Sequence, residues 1–111
     1  MKSKTITELA EIEKLAAAVR DEIFQLDRSE KTKNHYINSG LGAVLSYFHH
    51  NNCHDFSKQL LDEMVSERYN DFIHGNAGRF KYRIVRKTAA WLCQFRETGK
   101  ISQGKLQAYS F

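Results

Sequence analysis

Residues 79–98 read RFKYRIVRKTAAWLCQFRET, and the spacing of apolar side chains in this stretch predicts an amphipathic helix. At about 100° of rotation per residue, six side chains, most of them apolar, fall on one arc, with Val85 at its margin. That arc holds Phe80, Ile84, Thr88, Trp91, Leu92 and Phe95. The opposite arc holds Arg79, Arg83, Arg86, Lys87, Ala90 and Gln94. We therefore expect one side of this helix to pack against a core and the other to present a basic surface.

The charge of the chain is divided between two regions. Residues 1–74 carry nine Lys/Arg and twelve Asp/Glu, whereas residues 75–111 carry eight Lys/Arg and one acid, Glu97. A local positive field without carboxylates favours a polyanionic partner, most commonly nucleic acid. A solvated helix face usually alternates Lys/Arg with Glu/Asp, so a basic face without a partner is the weaker interpretation. An acidic protein or an anionic membrane is a further alternative, although a small core needs Trp91 and Phe95 for itself.

The rest of the chain also has helical spacing, and it contains no proline. We expect three further helices over Thr5–Leu26, Lys31–His50 and Phe56–Ile73, the last capped by Asp55 or Ser57. His74–Gly78 is the clearest turn, and Gly99 fits the stop of the last helix. The predicted fold is all-α, a small four-helix bundle in one domain, with a short C-terminal tail or strand over residues 101–111.

The first helix has an apolar seam at alternating steps of three and four residues. Its members are Leu9, Ile12, Ala16, Val19, Ile23 and Leu26, and Thr5 or Thr7 is the predicted cap. Such a seam packs within its own domain or forms a coiled-coil or swapped dimer, so self-association through the N-terminal helix is one hypothesis. Gly40 and Gly42 lie inside the second helix, where close approach of another helix, or a local bend, would explain them.

A second candidate anion site lies at the beginning of the second helix. Ser29, Lys31, Thr32, Lys33, Asn34 and His35 cluster there. Free N–H groups and the helix dipole favour a phosphate at such a position, and ordinary capping by Ser29 or Thr32 is equally compatible.

Several residues of the basic helix have chemistry that suits DNA. Arginine grips phosphate or the two acceptors of guanine, and Gln94 suits a base edge. Tyr82, between the two faces, is expected to reach a sugar or phosphate oxygen, and Ala90 is expected to let a partner approach closely.

Other classes of function find little support in the sequence. No apolar run is long enough to span a membrane, and no secretory signal or disulfide framework is present, so we expect a reducing cytoplasm. His49, His50, Cys53 and His54 are possible zinc ligands but lack a second ligand pair, and we interpret them as an exposed turn. No phosphate loop or nucleophile motif appears, so we expect no enzyme activity, no cofactor, no metal and no small-molecule substrate.

The order of these features resembles a known family. A helix starting Thr32-x-x-x-Tyr36 and ending Leu45-Ser-Tyr-Phe48 precedes a helix with Phe56, Leu60, Leu61 and Val65. The Arg-rich helix then ends Trp91-Leu92-x-x-Phe95-x-x-Thr98-Gly99-Lys100-Ile101. This order resembles the N-terminal core-binding domain of tyrosine recombinases, the phage- and transposon-type integrases, over roughly Leu9 to Ile101.

The resemblance implies a SAM-like orthogonal bundle that forms one jaw of a clamp on duplex DNA. It implies an N-terminal helix within residues 1–28, a core-binding domain over 29–100 and a linker over 101–111. The implied DNA contacts are Arg79, Tyr82, Arg83, Arg86, Lys87, Gln94, Lys31, Thr32, Lys33 and Asn34. The family's catalytic residues belong to a domain that would follow Phe111, so we expect these residues to bind DNA without cutting it.

Overall fold

The computed structural model describes residues 10–101, and within that range the chain forms helices and turns without a strand. The helices are α1 (Glu11–Phe24), α2 (Glu30–His35), a π-helical segment (Tyr36–Leu41), α3 (Gly42–His50), α4 (Lys58–Ile73) and α5 (Arg79–Thr98). α2, the π-helical segment and α3 follow one another without a break, so they correspond to one predicted helix. The prediction of a small all-α bundle is confirmed.

α1 is shorter than predicted because Ala10 is extended and the helix begins at Glu11. Thr5, Thr7 and Leu9 lie outside the described residues. The other members of the predicted seam are buried in the core, namely Ile12, Ala16, Val19, Ile23 and Leu26. Packing within the domain is therefore confirmed for these residues, and they offer no exposed face to a partner helix.

α5 is the central helix, packed against α1, α4 and the π-helical segment. Its six consecutive residues Thr88–Cys93 are all buried, which requires neighbours on every side of the helix. Trp91 is almost fully buried, and its ring meets the ring of Tyr36 edge to face at 4.9 Å. This buried run in the middle of α5 anchors the helix, and the turns before and after it are more exposed.

α5 and the π-helical segment cross closely at Gly40. A Cβ atom at this position would overlap Oγ1 of Thr88, a residue with no exposed surface whose hydroxyl donates to the Ile84 carbonyl at 2.8 Å. A Cβ at Gly42 would meet only the Ile37 carbonyl oxygen, at 3.6 Å. The expected close approach is thus confirmed for Gly40, whereas Gly42 stands where the π-helical segment gives way to α3.

Local capping follows the sequence. Ser57 accepts a hydrogen bond from the Leu60 N–H at 3.1 Å, so α4 begins after Ser57 rather than at Phe56. Gly99 adopts the left-handed conformation (φ 76°) and donates its N–H to the Phe95 carbonyl at 2.7 Å, which ends α5. The predicted tail beyond Ile101 lies outside the described residues.

Candidate nucleic-acid interface

The first half of α5 concentrates positive charge. Arg79, Lys81 and Arg83 are exposed, and Arg86 and Lys87 are half-buried. The helix follows Gly78, and its first turn contains no acid. Free N–H groups at a helix N-terminus already carry partial positive charge, so these cations add to the dipole instead of opposing it. This arrangement disfavours the isolated helix and produces a strongly anion-attracting end. We call the surface formed by Arg79, Lys81, Arg83, Arg86 and Lys87 the basic end of α5.

The described carboxylates form no ion pair with the cations of this surface. The ion pairs within residues 10–101 join Arg20 to Asp21, Lys58 to Asp62 and Arg96 to Glu11. None of them involves a cation of the basic end of α5. Arg96 is the residue of α5 that forms one of these ion pairs, and it lies thirteen residues after Arg83, roughly 20 Å along the helix. The basic end therefore keeps its charge.

Lys87 occupies an unusual position within this surface. Its Nζ lies 5.4 Å from the ring centroid of Trp91 and 5.9 Å from that of Tyr36, within the range of a cation–π interaction. Burial holds the pKa of Lys87 below its ordinary value, and the nearby charges of Arg28, Arg83 and Arg86 lower this pKa further. Arg28 was not among the predicted contacts. Nothing in the sequence signals it, because only the packing of the α1–α2 connector brings it near α5.

Tyr82 does not reach the surface, so the predicted contact with a sugar or phosphate oxygen is wrong. The residue is 5 % exposed. Its ring stacks on Phe72 at 5.5 Å and meets the edge of Tyr69 at 5.5 Å, while the Arg86 guanidinium carbon lies 5.5 Å from its centroid. Burial raises the pKa of Tyr82, and Arg86 acts in the opposite direction. The buried ring of Tyr82 thus packs beneath the Arg86 guanidinium and helps to hold it in place.

The predicted basic arc is interrupted at Ala90, and the predicted contact of Gln94 stays a prediction. Ala90 is 3 % exposed because other parts of the protein cover it, so it is not available for close approach of an external partner. Gln94 is half-buried and lies eleven residues after Arg83, roughly 16 Å along the helix. The arc assumes a helix that packs on one side, whereas α5 is buried on every side over Thr88–Cys93.

At the start of α2, some polar side chains form hydrogen bonds within the protein and others are exposed to solvent. Ser29 caps the helix: its Oγ accepts from the Thr32 N–H at 3.2 Å and donates to Thr32 Oγ1 at 3.0 Å. Lys33 Nζ donates to the Phe24 carbonyl at 2.8 Å, which ties α2 to the end of α1. Lys31 and Asn34 are exposed. Capping is therefore confirmed for Ser29, and Thr32 and Lys33 also have local partners.

The two predicted regions adjoin through an aromatic contact. The ring of His35 meets the ring of Phe80 edge to face at 5.0 Å, which places the end of α2 beside the start of α5. Phe80 was predicted to lie in the core but is 55 % exposed, since it stands in the first turn, before the enclosed part of α5. Its position between Arg79 and Lys81 was the available signal. An exposed ring thus lies within the basic end of α5.

The segment 49–54, whose His and Cys side chains are possible zinc ligands, shows ordinary hydrogen bonding. Cys53 Sγ donates to the Asp55 carbonyl at 3.2 Å, and His50 Nδ1 lies 2.7 Å from the Ser46 carbonyl oxygen. Across residues 10–101, no group of three or more His, Cys, Asp or Glu side chains is placed to hold a metal ion. No helix in that range has the length and apolarity needed to cross a membrane.

Comparisons of this chain with protein-family models, with curated proteins and with solved structures give no match. The resemblance to the recombinase core-binding domain is therefore a hypothesis carried by the sequence motifs alone. The functional interpretation rests on the geometry of the basic end of α5.

Proposed function

We propose that this chain binds duplex DNA through the basic end of α5 and the neighbouring helix α2. The observation that carries the proposal is the set of five cations within residues 79–87, at a helix N-terminus, without an ion pair to any described carboxylate. Such a field attracts the phosphate backbone and makes binding dependent on salt.

The exposed side chains of this surface suit different parts of a DNA duplex. Arg79 and Arg83 have guanidinium groups that suit a phosphate or the O6 and N7 acceptors of guanine. Lys31 and Asn34 extend the contact along the neighbouring phosphates. Phe80 supplies an apolar surface for a deoxyribose or a thymine methyl group.

The sequence resemblance gives the proposal its finer form. We propose that the chain is the SAM-like core-binding module of a site-specific tyrosine recombinase, acting in DNA integration or recombination in the cytoplasm. The all-helical architecture agrees with this assignment. In this assignment the cutting and joining of strands belong to another domain.

The test is a fluorescence anisotropy titration with random-sequence duplex DNA at several salt concentrations. If about four to six basic residues contact phosphate, the slope of log affinity against log salt should be about −4 to −5. The double variant Arg83→Glu, Arg86→Glu should lose binding and keep the helical circular dichroism of the wild type. An RNA hairpin should compete poorly, because an α-helix enters the major groove of DNA but not that of A-form RNA.

A matched control comes from the first residue of α4 and the last turn of α5. Lys58→Glu, Arg96→Glu changes the net charge by the same amount, and both cations already pair with acids there. This control should bind DNA at close to the wild-type affinity. Equal DNA affinity of the wild type and the Arg83→Glu, Arg86→Glu variant would reject the proposed interface. Equal losses of affinity in both double variants would show that binding depends on net charge and not on this surface.

A further inference from the structure

Lys87 lies within the electrostatic reach of three arginines, two from its own helix and one from the α1–α2 connector. Arg83, Arg86 and Lys87 are spaced i, i+3 and i+4, which places them on one face of α5. Arg28 approaches from the connector, close enough for its charge to act on Lys87. Within residues 10–101, none of the four forms an ion pair.

Partial burial of Lys87 makes its repulsion by the three neighbouring arginines unfavourable in free energy. Two aromatic rings, those of Trp91 and Tyr36, lie near its ammonium group, and the side chain is half-buried. Partial burial weakens the screening of repulsion by water, and every charge that acts on Lys87 comes from an arginine. Asp27 and Glu30 flank Arg28 in sequence, yet neither forms an ion pair with the cluster. A cluster of this kind is stabilised most directly by an anion.

We propose that Arg28, Arg83, Arg86 and Lys87 form a phosphate-binding site, with Lys87 at its base and the three guanidinium groups at its rim. Guanidinium forks bond phosphate oxygens in pairs, and an ammonium group supplies a point charge beneath them. Resting on the proposed function, we assign the occupant as a backbone phosphate of bound DNA. A free phosphate ion has the same chemistry, so the experiment separates the two sources.

The first arm uses inorganic phosphate without DNA. Melting curves are recorded in sodium phosphate and in sodium chloride at equal ionic strength and pH. Phosphate at about ten times its Kd should raise the melting temperature of the wild type by roughly 5–10 °C. Lys87→Met and Arg28→Gln should abolish this shift. Lys14→Met is the matched control, because Lys14 is an exposed lysine of α1 outside the proposed surface, and it should keep the shift.

The second arm uses duplex DNA. Lys87→Met should weaken binding about tenfold at low salt and reduce the magnitude of the salt slope by about 0.9. Phosphate at constant ionic strength should compete with DNA for the wild type and should not compete for Lys87→Met.

The outcomes separate the two proposals. Equal phosphate shifts in wild type and Lys87→Met, or no shift in either, would overturn the phosphate site even if DNA still binds. A shift that depends on Lys87, in a protein that binds no DNA, would uphold the site for free phosphate and reject the proposed function. DNA binding that phosphate does not disturb would overturn the assignment of the occupant to the DNA backbone.

Discussion

Replacing Gly40 by alanine tests the helix crossing that positions the proposed interface. Gly40 is buried in the π-helical segment, and its backbone lies against Thr88 of α5. An added Cβ would overlap Thr88 Oγ1 and would lie 3.0 Å from Thr88 Cβ and 3.2 Å from Cγ2. Thr88 has no free space to move into, because it is fully buried and its hydroxyl is bonded to Ile84. The two helices must therefore separate or Thr88 must change its rotamer.

The expected size of the effect follows from opposing contributions. Overpacking of a close-packed core costs about 1–3 kcal/mol, and displacing the Thr88 hydroxyl from its acceptor adds about 1 kcal/mol. Alanine in a helix gains about 0.5–1 kcal/mol over glycine, which offsets part of this. Gly40→Ala should therefore destabilise the domain by about 1–3 kcal/mol and lower its melting temperature by roughly 5–15 °C.

Urea unfolding followed by circular dichroism measures this change, and Gly42→Ala is the matched control. A Cβ at Gly42 meets only a carbonyl oxygen at ordinary contact distance, so that variant should gain about 0.5–1 kcal/mol. Adding Thr88→Ala to Gly40→Ala removes Oγ1 and Cγ2 and should recover about 1 kcal/mol relative to the sum of the single changes. If Gly40→Ala matches Gly42→Ala in stability, the close approach inferred here does not exist.

Two further predictions concern Lys87 and Ser57. The pKa of Lys87 is lowered from 10.5, so between the folded and unfolded values the folded state binds fewer protons and stability rises with pH. Urea titrations from about pH 7 to pH 10 should show a smaller rise in Lys87→Met, and an identical pH dependence would refute the assignment. Ser57→Ala removes the cap of α4 and should cost about 1 kcal/mol in the same assay, whereas an unchanged midpoint would show that the Leu60 N–H finds another acceptor.

The features that the sequence predicts well depend on local chemistry. Gly99 ends α5 because a left-handed residue after a helix favours glycine, and Ser57 caps α4 because its hydroxyl accepts from an N–H three residues later. The apolar seam of α1 also identifies its buried side correctly from Ile12 to Leu26. Each of these inferences needs only the residues of one helix and its immediate neighbours.

The features that the sequence misses depend on which helices meet. Ala90 is buried because α5 is enclosed over Thr88–Cys93, and an arc drawn on one helix assumes a single packed side. Phe80 is exposed although His35 packs against its ring, because it stands in the first turn of α5, before the buried run Thr88–Cys93. Arg28 acts on Lys87 although 59 positions separate them in the sequence, so this effect depends on how distant segments pack. Burial on several sides and contacts between distant segments are tertiary properties that periodicity does not encode.

The division of α5 into a basic N-terminal part and a buried middle run, Thr88–Cys93, separates recognition from stability within one helix. The buried run is held by packing on all sides, so the helix does not depend on favourable charges at its N-terminus. Cations can therefore accumulate there against the helix dipole, at a cost that the packing of the buried run offsets. Lys87 immediately precedes the buried run, which explains why it is half-buried over Trp91 and Tyr36. An anion at that boundary would lower the electrostatic cost of the basic part without disturbing the packing of the buried run.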